Sequence, residues 1–214
     1  MRIMALVIAA AAILLSARTA RMWLSASAIP ATMPVDTLEH WRPIAAAGHW
    51  IGDAESEATV IMFSDYQCGY CASTDERLRR MVATSEGRLG ISMRHSPLGM
   101  HGMARPAAIA AVCADRQQRF EPMNRLLFEH GNSLTEERFT ALARSAGVRD
   151  VGAFEECLAD STADQRVSRD LAVADSLHIV GTPTLFIDGM RYDGEPSDLE
   201  EVVRWHLAGR PTRR

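Results

Sequence analysis

Apolar and polar positions follow three successive regimes along the chain. Thr59-Val60-Ile61-Met62-Phe63 is an unbroken β-branched and apolar run, bounded by Glu57 before it and Ser64-Asp65 after it, and predicts a buried strand. From Cys68 to about residue 83 the period turns helical, with Leu78, Met81 and Val82 on one face and Asp75, Glu76, Arg79 and Arg80 on the other. Residues 89–94 alternate and then meet Pro97, which predicts a second strand and closes a strand-helix-strand unit. From about His101 to His178 the pattern is helical throughout, with helix starts at Thr135, Asp150 and Ser161 and stops at Gly131 and Gly147. Residues 184–187 predict another strand, Asp188-Gly189 a hairpin turn, and Arg191-Tyr192 part of a return strand. Ser197 is expected to cap a last helix over 198–207, with Glu200 completing a capping box. Residues 29–57, with Pro30, Pro34 and Pro43, read as an irregular lead-in holding at most a short strand. The expectation is an α/β frame over 58–98 and 179–208, interrupted by an all-helical block over 99–178.

The 214 residues suffice for one domain with an insertion and a proper core. A net charge of −4, with acids and bases interspersed, supplies no basic stripe and excludes a nucleic-acid partner. Arg2 precedes an apolar run over 3–15, followed by small residues and an Ala26-Ser27-Ala28 site, so residues 1–28 are expected to be a signal peptide. Arg18 and Arg21 leave an uncleaved N-terminal anchor open as the alternative. Either reading exports the domain to a compartment where disulfides persist.

Cys68-Gly69-Tyr70-Cys71 falls where the first strand hands over to its helix. There Cys68 would sit at a helix N-terminus, whose unpaired N–H groups and macrodipole favour the thiolate, and Cys71 would lie one turn on. Half of a zinc site is the rival reading. Zinc takes four ligands, no second CxxC or HxxxH occurs, and Cys113 and Cys157 stand far apart, so no metal site is expected. Met93, Met100 and Met103 invite a Cu(I) reading but form no fixed ligand set. Gly181-Thr182-Pro183-Thr184 precedes the later strand. If its X-Pro bond is cis, the backbone of Thr182 is bared for an incoming extended peptide; an ordinary trans proline opening a strand is the alternative. Cys113 and Cys157 complete an even cysteine count in an exported chain, which points to a bridge bracing the helical block, with two buried free thiols as the alternative.

Phe63-Ser64-Asp65-Tyr66-Gln67-Cys68-Gly69-Tyr70-Cys71, Pro97-Leu98 with His101, and Gly181-Thr182-Pro183-Thr184 together resemble the DsbA-like thioredoxin family, over roughly residues 50–207. The resemblance implies an α/β thioredoxin fold with an inserted helical domain, a cis bond at Thr182-Pro183, Cys68 as nucleophile and Cys71 as its buried partner. It implies a protein thiol-disulfide oxidoreductase needing no cofactor. Its substrates would be unfolded or reduced exported proteins in the periplasm, and a quinone-linked membrane partner would reoxidise it. The sequence also departs from the family. Met62 occupies the position, six before the first active cysteine, where many thioredoxin-fold enzymes carry a proton-moving carboxylate. Gly69-Tyr70 and Thr182 are more similar to the isomerase DsbC than to DsbA, and those positions tune redox poise. Isomerases of that kind dimerise through a sizeable N-terminal domain, for which residues 29–50 are too short. An oxidase is therefore the leading expectation. A DsbC-type isomerase or reductase fed by a membrane electron donor is the alternative, and a chaperone-like or copper-handling binding protein is the reading from another class.

Overall fold

The computed structural model describes residues 30–210. The signal or anchor expected over 1–28 lies outside them. Among the described residues, no helix is long and apolar enough to cross a membrane. The described residues divide into two compact units, one over 34–196 and the other made of 30–33 with 197–210.

In the larger unit the lead-in is more ordered than its sequence suggests. It holds β1 (Asp36–Thr37), α1 (Arg42–Ala46) and β2 (His49–Gly52). The first predicted strand is β3 (Ala58–Ser64), followed by α2 (Gly69–Thr84) and β4 (Leu89–His95). The helical block comprises α3 (Ala104–Asp115), α4 (Phe120–Glu129), a 3-10 turn (Gly131–Ser133), α5 (Glu136–Ser145), α6 (Val151–Ala159) and α7 (Ser161–Ser176). The chain then returns through β5 (Thr184–Ile187) and β6 (Met190–Asp193). The six strands lie in the order β1-β6-β5-β3-β4-β2. Only β3 and β4 run parallel, as a strand-helix-strand crossover requires, and every other neighbouring pair is antiparallel.

All seven residues of β3 are buried, which explains why that segment is apolar without alternating. Ile61 and Phe63 point to one face, where Phe63 meets Phe186 edge-on at 6.0 Å and the cluster takes in Ala45 of α1 and Ala174 of α7. Burying one such side chain is worth about 1.5–3 kcal/mol. The opposite face carries Val60, Met62 and Ser64, and Ser64 approaches Cys71 of α2 there. In the helical block α3 is buried on nearly every side through Ala107, Ala108, Ala110, Ala111 and Ala114, the pattern of a central helix. A disulfide joins Cys113 of α3 to Cys157 of α6, with Cα atoms 5.7 Å apart. The block is tied to the sheet by Asp170 of α7, which is fully buried, pairs with Arg94 of β4 at 2.8 Å and accepts the His95 N–H at 3.0 Å.

The smaller unit contains α8 (Leu199–Leu207). The expected Ser197 cap is absent: the helix starts one residue later, at an Asp198 N-cap that makes no side-chain cap bond. The carboxylate of Asp198 instead accepts the backbone N–H groups of Ala31 at 2.7 Å and Thr32 at 3.1 Å. Donors from a segment distant in sequence have replaced the helix's own.

Candidate active site

β3 ends at Ser64, and residues 65–67 turn the chain so that Cys68 becomes the N-cap of α2, with extended backbone at φ −84° and ψ 115°. Asp65 makes this turn. Its carboxylate is buried, accepts the Gln67 N–H at 2.7 Å and the Leu98 N–H at 2.8 Å, and meets His101 Nδ1 at 2.9 Å. Its carbonyl accepts the Cys68 N–H at 3.1 Å. An Asp bonded to the backbone two residues on is an Asx turn. The Asp65 carboxylate is thereby committed to holding the loop.

Cys68 and Cys71 are free thiols in this structure. Cys71 is wholly buried, while Cys68 keeps 9% of its surface. The Cys68 thiol points its S–H at the Thr182 carbonyl, 3.4 Å away, across a Thr182-Pro183 bond that is cis. The acidity of the two sulfurs is pushed in opposite directions. Cys68 is lowered to about 5, first because the Cys71 thiol hydrogen-bonds its anion, then through the N–H groups of Cys71 and Tyr70 and the Thr182 hydroxyl, with burial opposing. Cys71 is raised far above the usual thiol range, by burial first and then by its donation to Cys68. The hydroxyls of Ser64 and Thr182 oppose this by facing the Cys71 sulfur. Neither hydroxyl makes a hydrogen bond of ordinary geometry, so what they offer is a weak sulfur contact.

The rest of the site is built from segments distant in sequence. Gly194 N–H donates to the Pro183 carbonyl at 2.9 Å, and the next residue, Glu195, binds Thr74 and Arg77 of α2. The proline turn is thus braced against the active helix. On the other side Tyr66 Oη donates to Asn124 of α4 at 2.9 Å, and Asn124 Nδ2 donates to Asp75 at 2.8 Å. Asp75, expected to face solvent, is buried for this reason, and burial raises its pKa. A cleft of about 190 Å³ opens beside Cys68, walled by Gly69 and Ala72 on one side and by Phe128, His130 and Gly131 on the other. A methyl group on Gly131 would come within 2.4 Å of the Tyr66 carbonyl, so the helical block reaches the active loop only because that residue lacks a side chain. Tyr70 is 77% exposed and Val180 93% exposed, one on each segment that meets at the Cys68–Thr182 contact.

Of the site residues read from the sequence, Cys68, Gly69, Tyr70, Cys71, Thr182 and Pro183 fall in this one place. Cys113 and Cys157 lie apart from it, within the helical block. In the sequence Ser64 and Asp65 read as the end of the strand and Gly131 as a helix stop, and Glu195 is not singled out. The Asp65 spacing to Gln67 is a local turn signal, whereas nothing in the order of residues announces that Glu195 or Gly131 folds back to the cysteines.

A family model described as thioredoxin matches residues 45–205. The chain belongs to the thioredoxin family. It is similar to DsbA2 of Pseudomonas aeruginosa, at 27% identity over 70% of this chain and 87% of that one, with a TM-score of 0.58. The thioredoxin-like fold with its helical insertion is shared with alpha-DsbA2 of Wolbachia pipientis, at 17% identity, TM-score 0.70, over 89% of this chain and 97% of that one. It is also shared with BdbD of Bacillus subtilis, at 20% identity, TM-score 0.67, over 82% and 99%. Among curated relatives, the chain is 33% identical over 200 residues to Na(+)/H(+) antiporter NhaA 3 of Salinispora tropica, covering 92% of this chain and 29% of that protein. The chain therefore spans less than a third of the length of that relative. What the two share is the thioredoxin-like stretch.

Proposed function

We propose that the protein is an exported thiol-disulfide oxidoreductase that introduces disulfides into reduced client proteins through Cys68 and Cys71. A client thiolate attacks Cys68 in the Cys68–Cys71 disulfide, forming a mixed disulfide and releasing the Cys71 sulfur. A second client thiolate attacks the client's own sulfur in that mixed disulfide and expels Cys68. The client gains one disulfide, the protein is left as a dithiol, and two electrons have moved. A membrane quinone-linked partner would restore the disulfide, and the periplasm is the compartment this chemistry suits.

The observation that carries the direction is the divergent acidity of the two sulfurs. A Cys68 lowered to about 5 is a good leaving group and stabilises the reduced protein, which makes its disulfide an oxidant. The Thr182-Pro183 turn beside Cys68 supports docking of an extended client backbone, with exposed Tyr70 and Val180 beside it as apolar footing. Equilibration with glutathione tests the direction. A potential above about −200 mV is expected for an oxidase. A value near the roughly −270 mV of thioredoxin would replace the oxidase by a reductase.

A further inference from the structure

Cys71 must take up a proton when it leaves the disulfide and give one up when it closes it again. It is wholly buried, and the residue at the usual carboxylate position, Met62, is apolar and equally buried. Three buried polar atoms without a hydrogen-bond partner fall on successive strands from this sulfur towards the β2 edge of the sheet: Ser64 Oγ on β3, His95 Nε2 on β4 and His49 Nε2 on β2. Each costs about 1–3 kcal/mol if left unsatisfied, so their alignment calls for a reason.

The row is continuous in the fold. Ser64 faces the Cys71 sulfur. Ser64 and His95 are register partners across the parallel β3–β4 pair, so their side chains leave the same face of the sheet. The rings of His95 and His49 have centroids 5.0 Å apart. His49 Nδ1 meets Asp115 Oδ2 at 2.9 Å, and the Asp115 side chain is 45% exposed at a cleft that His49 also lines. Asp115 thus holds the Nδ1 side of His49 and leaves Nε2 on the inward side, without a hydrogen-bond partner.

We propose that Ser64, His95, His49 and Asp115, with internal water joining the hydroxyl to the imidazoles, form a proton path between Cys71 and solvent. Its use rests on the exchange activity proposed above. When the Cys68–Cys71 bond breaks at Cys68, Cys71 keeps the electron pair, a proton arrives through Ser64, and solvent at Asp115 replaces it. Disulfide closure runs the proton outward. Burial, His49, Arg166 and Arg94 hold His95 well below its ordinary pKa, hence neutral, and a neutral imidazole passes protons where a fixed cation would not. The other groups around it are spoken for: Asp170 binds Arg94, Arg166 and the His95 N–H, and Tyr66 donates to Asn124. A metal ion on His49, His95 and Asp170 would have to sit against those two guanidiniums, which favours the proton reading.

The test is stopped-flow opening of the oxidised full-length protein by dithiothreitol, followed by intrinsic fluorescence, for His49→Gln, His95→Gln and Asp115→Asn. The histidine variants should open about tenfold more slowly, a modest part of the 10²–10⁴ that direct acid–base catalysis supplies. Asp115→Asn should be slowed about twofold to threefold, since the carboxylate only orients and exchanges with solvent. The glutathione equilibrium and the Cys68 titration should not move, because a path alters rates and not end states. Met62→Glu in the His95→Gln background should recover the rate. Folded variants that open at the wild-type rate overturn the path, as does a rate loss accompanied by a shifted equilibrium, which marks a structural role. Asp115 is exposed enough that its variant keeps the test open if a buried histidine variant does not fold. An oxidised wild-type protein inert to dithiothreitol would instead remove the exchange reading beneath it.

Discussion

Replacing Cys71 by Ala removes the largest cause of the acidity of Cys68 and leaves the others in place. The Cys71 thiol donor is lost, while the N–H groups of residues 70 and 71 and the Thr182 hydroxyl remain. A hydrogen bond to a charged group is worth about 1.5–3 kcal/mol, and each pKa step about 1.36 kcal/mol, so the midpoint should rise from about 5 to about 6–7. At pH 6 the thiolate fraction would fall from roughly nine-tenths to between about one-tenth and one-half. Absorbance at 240 nm against pH reads this directly, because Cys113 and Cys157 are bridged and silent. Cys71→Ser, which keeps a donor, should fall between the two. Linkage gives a second reading of the same shift. A folded pKa below the ordinary thiol value of 9.0 stabilises the reduced fold fully above pH 9, and the gain shrinks as pH falls and is gone below about 5. In Cys71→Ala the gain should be smaller and already gone at the higher midpoint. An unchanged midpoint in the variant, or an ordinary thiol midpoint in the wild type, would refute the assignment of the acidity to the Cys71 donor.

Gly131→Ala should drive a methyl into the Tyr66 carbonyl and destabilise the fold by about 1–3 kcal/mol, with slower exchange, as read by thermal melting and insulin turbidity. Cys113→Ser with Cys157→Ser opens a bridge spanning 44 residues, so the chain-entropy model sets the loss at about 4 kcal/mol at most, while the Cys68 titration should stay put. Asp65→Asn weakens charged acceptor bonds to Gln67 and Leu98 and the pairing with His101. It should cost about 2–3 kcal/mol in denaturant melts, with a broadened Cys68 titration as the active loop loosens.

Much of this was legible because the decisive signals are local. The β-branched run over 59–63, the CxxC at its end and the Gly-Thr-Pro-Thr before the later strand each carry their meaning within a few residues. The helical block was legible for the same reason, since its starts at Thr135 and Asp150 act as N-caps in the structure. What escaped depends on contacts between distant segments. β2 is too short and its lead-in too rich in proline to announce a strand, and it exists because β4 offers an open edge. Asp75 carries the sequence pattern of a surface residue and is buried because Asn124, far along the chain, supplies its partner. Ser197 is not the cap because the helix opens one residue later, at Asp198, whose carboxylate accepts the distant Ala31 and Thr32 N–H groups. His49 and His95 carry no signal in the order of residues, and only the register of three strands brings them beside Ser64.

Trapping a client on the protein tests the central assignment most directly. The Cys71→Ala variant, mixed with a peptide disulfide and analysed by mass spectrometry after acid quench, should carry the peptide on Cys68 and nowhere else. Peptide that accumulates on another residue, or a Cys68 that stays unmodified at pH 7, would contradict it.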